Sequence, residues 1–224
     1  MSQNRLQHKI SLIFVVSAFI LQSLALPYGF AQEGGTSHGD SLGPRVENEL
    51  TGTYIVAFST AGTHDFISNV SFAGLGLEWG HYVTQNLSLG LSTRWNRFYQ
   101  EDDRQTYQVQ NAAITGKQYK ALNVYPIFPK AKFDFDMGHE TPLVPFIQIG
   151  LGPIYGQKYR TVGNYTFNDF GWQFGFAPEV GVIWRSAYKP LGALFSVRYD
   201  VGLGTDAIPA YSAFNLTLGI RSAI

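Results

Sequence analysis

Residues 170–185 read FGWQFGFAPEVGVIWR. One set of alternate positions holds Trp172, Phe174, Phe176, Pro178, Val180, Val182 and Trp184; the other holds Gly171, Gln173, Gly175, Ala177, Glu179, Gly181 and Ile183. A period of two is that of a strand, because successive side chains of an extended chain point to opposite faces. The bulky apolar face carries no charge, and the small face carries a carboxylate. Which face turns inward decides the fold.

The same division recurs along the chain. In FAGLGLEWG (72–80), Ala73, Leu75, Leu77 and Trp79 oppose Gly74, Gly76 and Glu78. In NLSLGLSTRWN (86–96), Leu87, Leu89, Leu91, Thr93 and Trp95 oppose Ser88, Gly90, Ser92 and Arg94. PKAKFDF (129–135) sets Pro129, Ala131, Phe133 and Phe135 against Lys130, Lys132 and Asp134. FIQIGLGPIY (146–155) sets Ile147, Ile149 and Leu151 against Gln148, Gly150 and Gly152. Ala193, Phe195, Val197, Tyr199 and Val201 oppose Ser196, Arg198 and Asp200, and Phe214, Leu216, Leu218 and Ile220 oppose Asn215, Thr217 and Arg221.

Eight such segments are expected, at about 52–59, 71–81, 86–97, 120–135, 143–156, 171–185, 192–203 and 213–223, with no sustained helical periodicity. Short joins alternate with longer, more polar ones. YVTQ (82–85), DMGHETP (136–142) and SAYKPL (186–191) are short; TAGTHDFISNV (60–70), FYQEDDRQTYQVQNAAITGKQ (98–118) and QKYRTVGNYTFNDF (157–170) are read as long loops, and GTDAIPAYS (204–212) is the shortest of that second set. Short turns at one end, long connections at the other and an even strand number predict an all-β fold: an eight-stranded antiparallel up-and-down transmembrane β-barrel. Segments of about 10–14 residues suffice for a tilted strand to cross a bilayer.

A soluble barrel would bury the apolar face and show water a surface of glycine with few charges, a poorly soluble arrangement. Glycine also weakens a strand without compensation on a solvated face. A narrow lumen, by contrast, suits small residues. The apolar face is therefore assigned to lipid. Trp79, Tyr82, Trp184 and Tyr188 fall at the short-turn end and Trp95, Tyr155, Trp172 and Tyr211 towards the other, as two interfacial belts predict. Glu179 then faces the lumen with Glu78, Asp134, Asp200, Arg94, Lys130, Lys132, Arg198 and Arg221. The near balance of signs predicts a polar network that fills the barrel, with Glu179 structural, since a buried charge is tolerated only when paired.

Composition narrows the classes further. The 224 residues include 24 Gly, 17 Phe and 13 Tyr, and 14% are charged, which argues against disorder and gives no basic footprint for nucleic acid. Cysteine is absent, so no disulfide, thiolate metal site or cysteine nucleophile is expected. His8, His38, His64, His81 and His139 are scattered, so neither a metal centre nor a histidine-based triad is expected, and no cofactor. Three GLG triplets lack the following helix and Lys-Ser/Thr of a phosphate loop, and read as room for lumen side chains.

Arg5 and Lys9 precede the apolar run ISLIFVVSAFILQSLAL (10–26), followed by Pro27 and the small-x-small Gly29-Phe30-Ala31. That order predicts a signal peptide over 1–31 and export, leaving 14 bases and 16 acids in the remaining chain. Residues 32–50 read as a flexible polar lead-in and 51–224 as the barrel domain.

The segments NVYPIFPKAKFDF (123–135), PFIQIGLGPIYG (145–156), GFAPEVGVIWR (175–185) and FNLTLGIRSAI (214–224) together resemble the small outer-membrane barrels of the OmpA/OmpX type, in the variant common among Bacteroidetes-like bacteria. The likeness covers about 52–224. It implies a place in the bacterial outer membrane, contact with outer-membrane lipid and lipopolysaccharide, and insertion by the barrel assembly machinery. Such barrels usually end in an aromatic residue, whereas this chain ends in Ile224. The function expected is non-enzymatic: a membrane-structural or surface-interaction role carried by the outer loops, with an unidentified loop partner. The alternatives are a narrow or gated small-solute channel and a lipid-modifying barrel enzyme. The enzyme would need a histidine beside a serine at the lipid-facing rim, and no strand carries a His-x-Ser pair.

Overall fold

A computed structural model describes residues 48–109, 112–135, 142–185, 191–205 and 210–224. The expected signal peptide, Tyr188 and most of the polar lead-in lie outside them. Eight strands follow one another in order: β1 (Asn48–Ser59), β2 (Ser71–Tyr82), β3 (Leu87–Val109), β4 (Ala112–Asp134), β5 (Leu143–Val162), β6 (Tyr165–Arg185), β7 (Leu191–Gly202) and β8 (Ser212–Ala223). Each pairs antiparallel with the next, and β8 returns to β1 with Thr51 opposite Arg221 and Tyr54 opposite Leu218, which closes the barrel. Closure leaves no unpaired edge around the ring, the condition for strands to cross hydrocarbon. No described helix is long and apolar enough to cross a membrane; the crossing is made by strands.

The faces lie as the alternation predicts. Leu75, Leu89, Ile149, Val180, Leu218 and Ile220 point outward and are exposed, while Glu78, Arg94, Gln148, Glu179 and Arg198 are buried. The glycines of the small face are held down by what lies over them. A Cβ on Gly181 would stand 2.7 Å from the Phe146 ring and 2.5 Å from the Phe195 carbonyl oxygen. Large inward rings thus depend on bare backbone across the strand pair.

Four features differ from the sequence reading. First, β1 begins at Asn48, so Asn48, Glu49 and Leu50 belong to the barrel rather than to the lead-in. Second, the two polar stretches read as long loops are mostly strand: β3 and β4 each have 23 residues, β5 has 20 and β6 has 21, against 12 in each of the other four. At about 3.3 Å per residue, 12 residues already cross a tilted wall around an apolar band about 25 Å tall, so the excess stands outside it. Third, a short helix, α1 (Ala61–Phe66), interrupts the β1–β2 join. It is tied to the start of β8: Ser212 N–H donates to Thr63 Oγ1 (2.8 Å), Thr60 N–H to the Ser212 carbonyl (3.1 Å) and Ser212 Oγ to the Thr60 carbonyl (2.6 Å). Fourth, Tyr82 and Tyr211 bond to lumen groups instead of standing in interfacial belts. Tyr155 and Trp172 do stand at the outer girdle, with ring centroids 5.0 Å apart and Tyr125 6.2 Å beyond.

Candidate functional site

The lumen is layered. At the short-turn end, the Glu49 carboxylate takes Lys132 Nζ at 2.5 Å and Arg221 Nε at 2.7 Å. Asp134 accepts a short hydrogen bond from Tyr82 Oη and lies 3.7 Å from Lys132 and 3.8 Å from Arg185. In the middle, Glu78 takes Arg94 at 2.6 Å, Lys130 at 2.8 Å and Gln148 at 3.2 Å. Glu179 takes Arg94 at 2.9 Å, Gln148 at 3.1 Å and Ser196 Oγ, with Arg198 at 3.8 Å. Higher up, Arg198 donates to Asp200 at 2.5 Å, and Asn215 links Asp200 to Asn96 at 3.0 and 3.3 Å.

All nine residues read from the sequence as lumen polar groups are buried, and through Glu49 they form one connected set. Glu49, which the sequence reading assigns to the lead-in, is the joining member. The signal for it was present, since Glu49, Thr51 and Thr53 continue the inward alternation of β1. With Glu49, five acids meet five bases. Such a set neutralises itself, and Glu49, Glu78, Glu179 and Asp200 each accept from more than one donor, the arrangement that offsets the cost of burial.

Above this network the lumen is apolar, which the sequence reading of a polar filling did not foresee. Ile55, Phe98, Leu122, Val124, Phe128 and Ile154 form a buried cluster with Phe66 and Ile67 of the α1 region. Rings and methyls of this cluster pack inside the barrel at that height. Among the described residues no group of three or more His, Asp or Glu could hold a metal. His81 pairs with Asn48 at 3.0 Å at the short-turn end.

Beyond the band, the long strands continue as an open four-stranded sheet. The β2–β3 pairing ends at Ala73 opposite Arg97 and the β6–β7 pairing at Gly175 opposite Gly202. β3 remains paired with β4 to Val109, β4 with β5 to Gln118 opposite Val162, and β5 with β6 to Val162 opposite Tyr165. Tyr165, Phe167 and Phe170 are exposed there.

No family model and no curated protein matches the chain. Solved structures do. Neisserial surface protein A is 14% identical over 79% of this chain and 96% of its own, with a TM-score of 0.52. The attachment invasion locus protein Ail of Yersinia pestis is 8% identical over 78% and 95%, at a TM-score of 0.40. The N-terminal barrel domain of Pseudomonas aeruginosa OprF is 14% identical over 78% and 98%, at 0.41. The likeness to the neisserial protein is one of fold, and the lipid-facing wall adds the environment: a closed, even-stranded barrel with an apolar outer band is the outer-membrane architecture. The chain is a small eight-stranded β-barrel of the bacterial outer membrane.

Proposed function

We propose that the protein is a non-enzymatic outer-membrane barrel that works from its outer surface, in a surface-interaction role, with the protruding β3–β6 sheet as its working part. One observation carries this reading. Residues 165–172 of β6 pair with β5 on one side and with no described strand on the other, while just below them the Phe174 carbonyl accepts from Leu203 N–H (2.8 Å). A free strand edge with exposed aromatic rings is a template for an added strand, and proteins that have no use for such an edge usually blunt it with charge or proline. The apolar stop above the charged network supports a closed lumen over a channel. A lipid-modifying role has less support, since His81 stands at the short-turn end and no strand carries a His-x-Ser pair.

The test is a barrel in which 157–170 is deleted and Gly156 is joined to Gly171, residues already opposite one another, through a two-residue turn. This variant is expected to insert and to show heat-modifiable migration, yet to lose attachment of expressing cells to host or neighbouring cell surfaces. Unchanged attachment, together with steady conductance of the intact barrel in planar bilayers, would move the function to the lumen.

A further inference from the structure

The outward side chains of β3 to β6 lie in rows set by the strand register. The girdle row is Tyr125, Tyr155 and Trp172. The next row up is Arg97, Asn123, Gln157 and Phe170, each opposite the next. Above it stand Tyr99, Ala121, Tyr159 and Asn168. Both upper rows alternate with the buried Phe98, Leu122 and Val124, and so face away from the lumen. Two residues of strand cover about 6–7 Å. The headgroup layer adds about 5–8 Å to each side of the hydrocarbon. The Arg97 row therefore stands within that layer and the Tyr99 row at its outer margin.

These rows differ in chemistry from the belt beneath them. Tyr99 and Tyr119 are both exposed, and their rings stack with centroids 6.5 Å apart and planes 27° from parallel. Tyr159 Oη donates to Gln157 Oε1 at 3.3 Å, which orients that amide and leaves its nitrogen to donate. Among the described residues Arg97 forms no ion pair, and the side-chain amide of Asn123 no hydrogen bond. Glu101, on the same face of β3, is already taken by Lys117 at 2.6 Å. An interfacial belt needs rings at the hydrocarbon boundary. It needs neither a second tier of tyrosines above them nor a cation and two amides in between.

We propose that this face binds the phosphorylated sugar headgroup of a glycolipid in the outer leaflet of the same membrane. Continuity with the lipid-facing wall selects that occupant: a lipid whose chains lie on the wall below the girdle carries its headgroup onto these rows. Arg97 engages a phosphate, its planar fork of N–H donors matching two of the oxygens. Asn123 and Gln157 each offer a donor and an acceptor, as a sugar hydroxyl, itself both, requires. Tyr99 and Tyr159 present flat apolar faces to the C–H side of a sugar ring. Arg97 and Gln157 stand two strands apart, about 10 Å, so a headgroup of joined sugar rings covers the span and a lone phosphate does not. A neutral sugar would leave Arg97 unused.

The experiment places the full barrel in phosphatidylcholine nanodiscs with a rising fraction of one added lipid and follows the side-chain N–H signals of Arg97, Asn123 and Gln157. The probes are lipid A, a phosphorylated disaccharide lipid; phosphatidylglycerol, a phosphate without a sugar ring; and a monogalactosyl diacylglycerol, a sugar without phosphate. Saturable shifts at all three side chains are expected with lipid A, at a fraction about tenfold below that needed for either of the others, a difference of about 1.4 kcal/mol. Arg97→Gln should weaken lipid A binding by a similar factor. Arg160→Gln, on the inward face beside Phe66, removes the same charge and should leave binding unchanged. Tyr99→Leu keeps an apolar side chain without the ring, and should weaken lipid A relative to phosphatidylglycerol. Heat-modifiable migration checks that each variant is folded. Absence of saturable shifts with lipid A, either control lipid binding as tightly as lipid A, or equal losses from Arg97→Gln and Arg160→Gln would each overturn the assignment.

Discussion

Glu179 illustrates how a single side chain is fixed by its neighbours. It accepts from Arg94 at 2.9 Å, from Gln148 at 3.1 Å and from Ser196, and sits 3.8 Å from Arg198. Glu179→Gln removes the charge and keeps the shape. Breaking a buried pair from one side costs roughly 3–5 kcal/mol when the partner is left bare. Here Arg94 keeps Glu78 at 2.6 Å and Arg198 keeps Asp200 at 2.5 Å, so a smaller loss of about 1–3 kcal/mol is expected, nearer the cost of an impaired charged hydrogen bond. Adding Arg94→Gln should recover part of that loss, and adding Arg198→Gln should recover less, because coupling follows direct contact. Urea unfolding, in lipid vesicles, of the wild type, the three single variants and the two double variants measures both couplings. Equal coupling to the two arginines would mean that the network acts as a diffuse charge balance and not through named pairs.

At the scale of elements, the strands were legible wherever one face meets lipid and the other the lumen, because that contrast writes the alternation into the sequence. The extensions of β3 to β6 were not. Above the band both faces meet water, so stretches such as QEDDRQT (100–106) carry no alternation and resemble loops. The inward rings were missed for a different reason. Phe128 and Phe146 share a face with Lys130 and Gln148, and a face judged by its charges reads as polar. What sequence could not supply is the pairing of a ring with bare backbone on the neighbouring strand, as for Phe146 over Gly181. Gly181→Val tests that pairing. The new side chain would meet both the Phe146 ring and the β7 backbone at Phe195, and overpacking of this kind costs about 1–3 kcal/mol. Phe146→Ala in the same chain should restore part of the loss. If Gly181→Val folds with native stability, the small face is small by accident of composition rather than for packing.

For the whole molecule, the membrane boundary decides how much of the barrel is available outside, and one strand can measure it. The outward face of β6 runs from Trp184 through Val182, Val180, Phe176, Phe174, Trp172 and Phe170 to Asn168, all of them exposed. An arginine placed on a barrel's lipid face costs roughly 2–4 kcal/mol at the bilayer midplane and about 0–1 kcal/mol near the interfaces. Single arginine substitutions at these positions should therefore trace a peak around Val180 and Phe176. The cost should fall by Trp172, where the Tyr125, Tyr155 and Trp172 rings mark the outer girdle. At Asn168 it should be nil, and slight at Phe170, where a large ring is lost. Folding free energies in vesicles give the profile. A cost that stays high through Phe170 and Asn168 would place the upper part of β6 in lipid. The sheet would then offer no free edge to the outside, and the surface-interaction reading would lose its support. A peak displaced towards Trp184 would instead mean that still more of the barrel stands clear of the membrane.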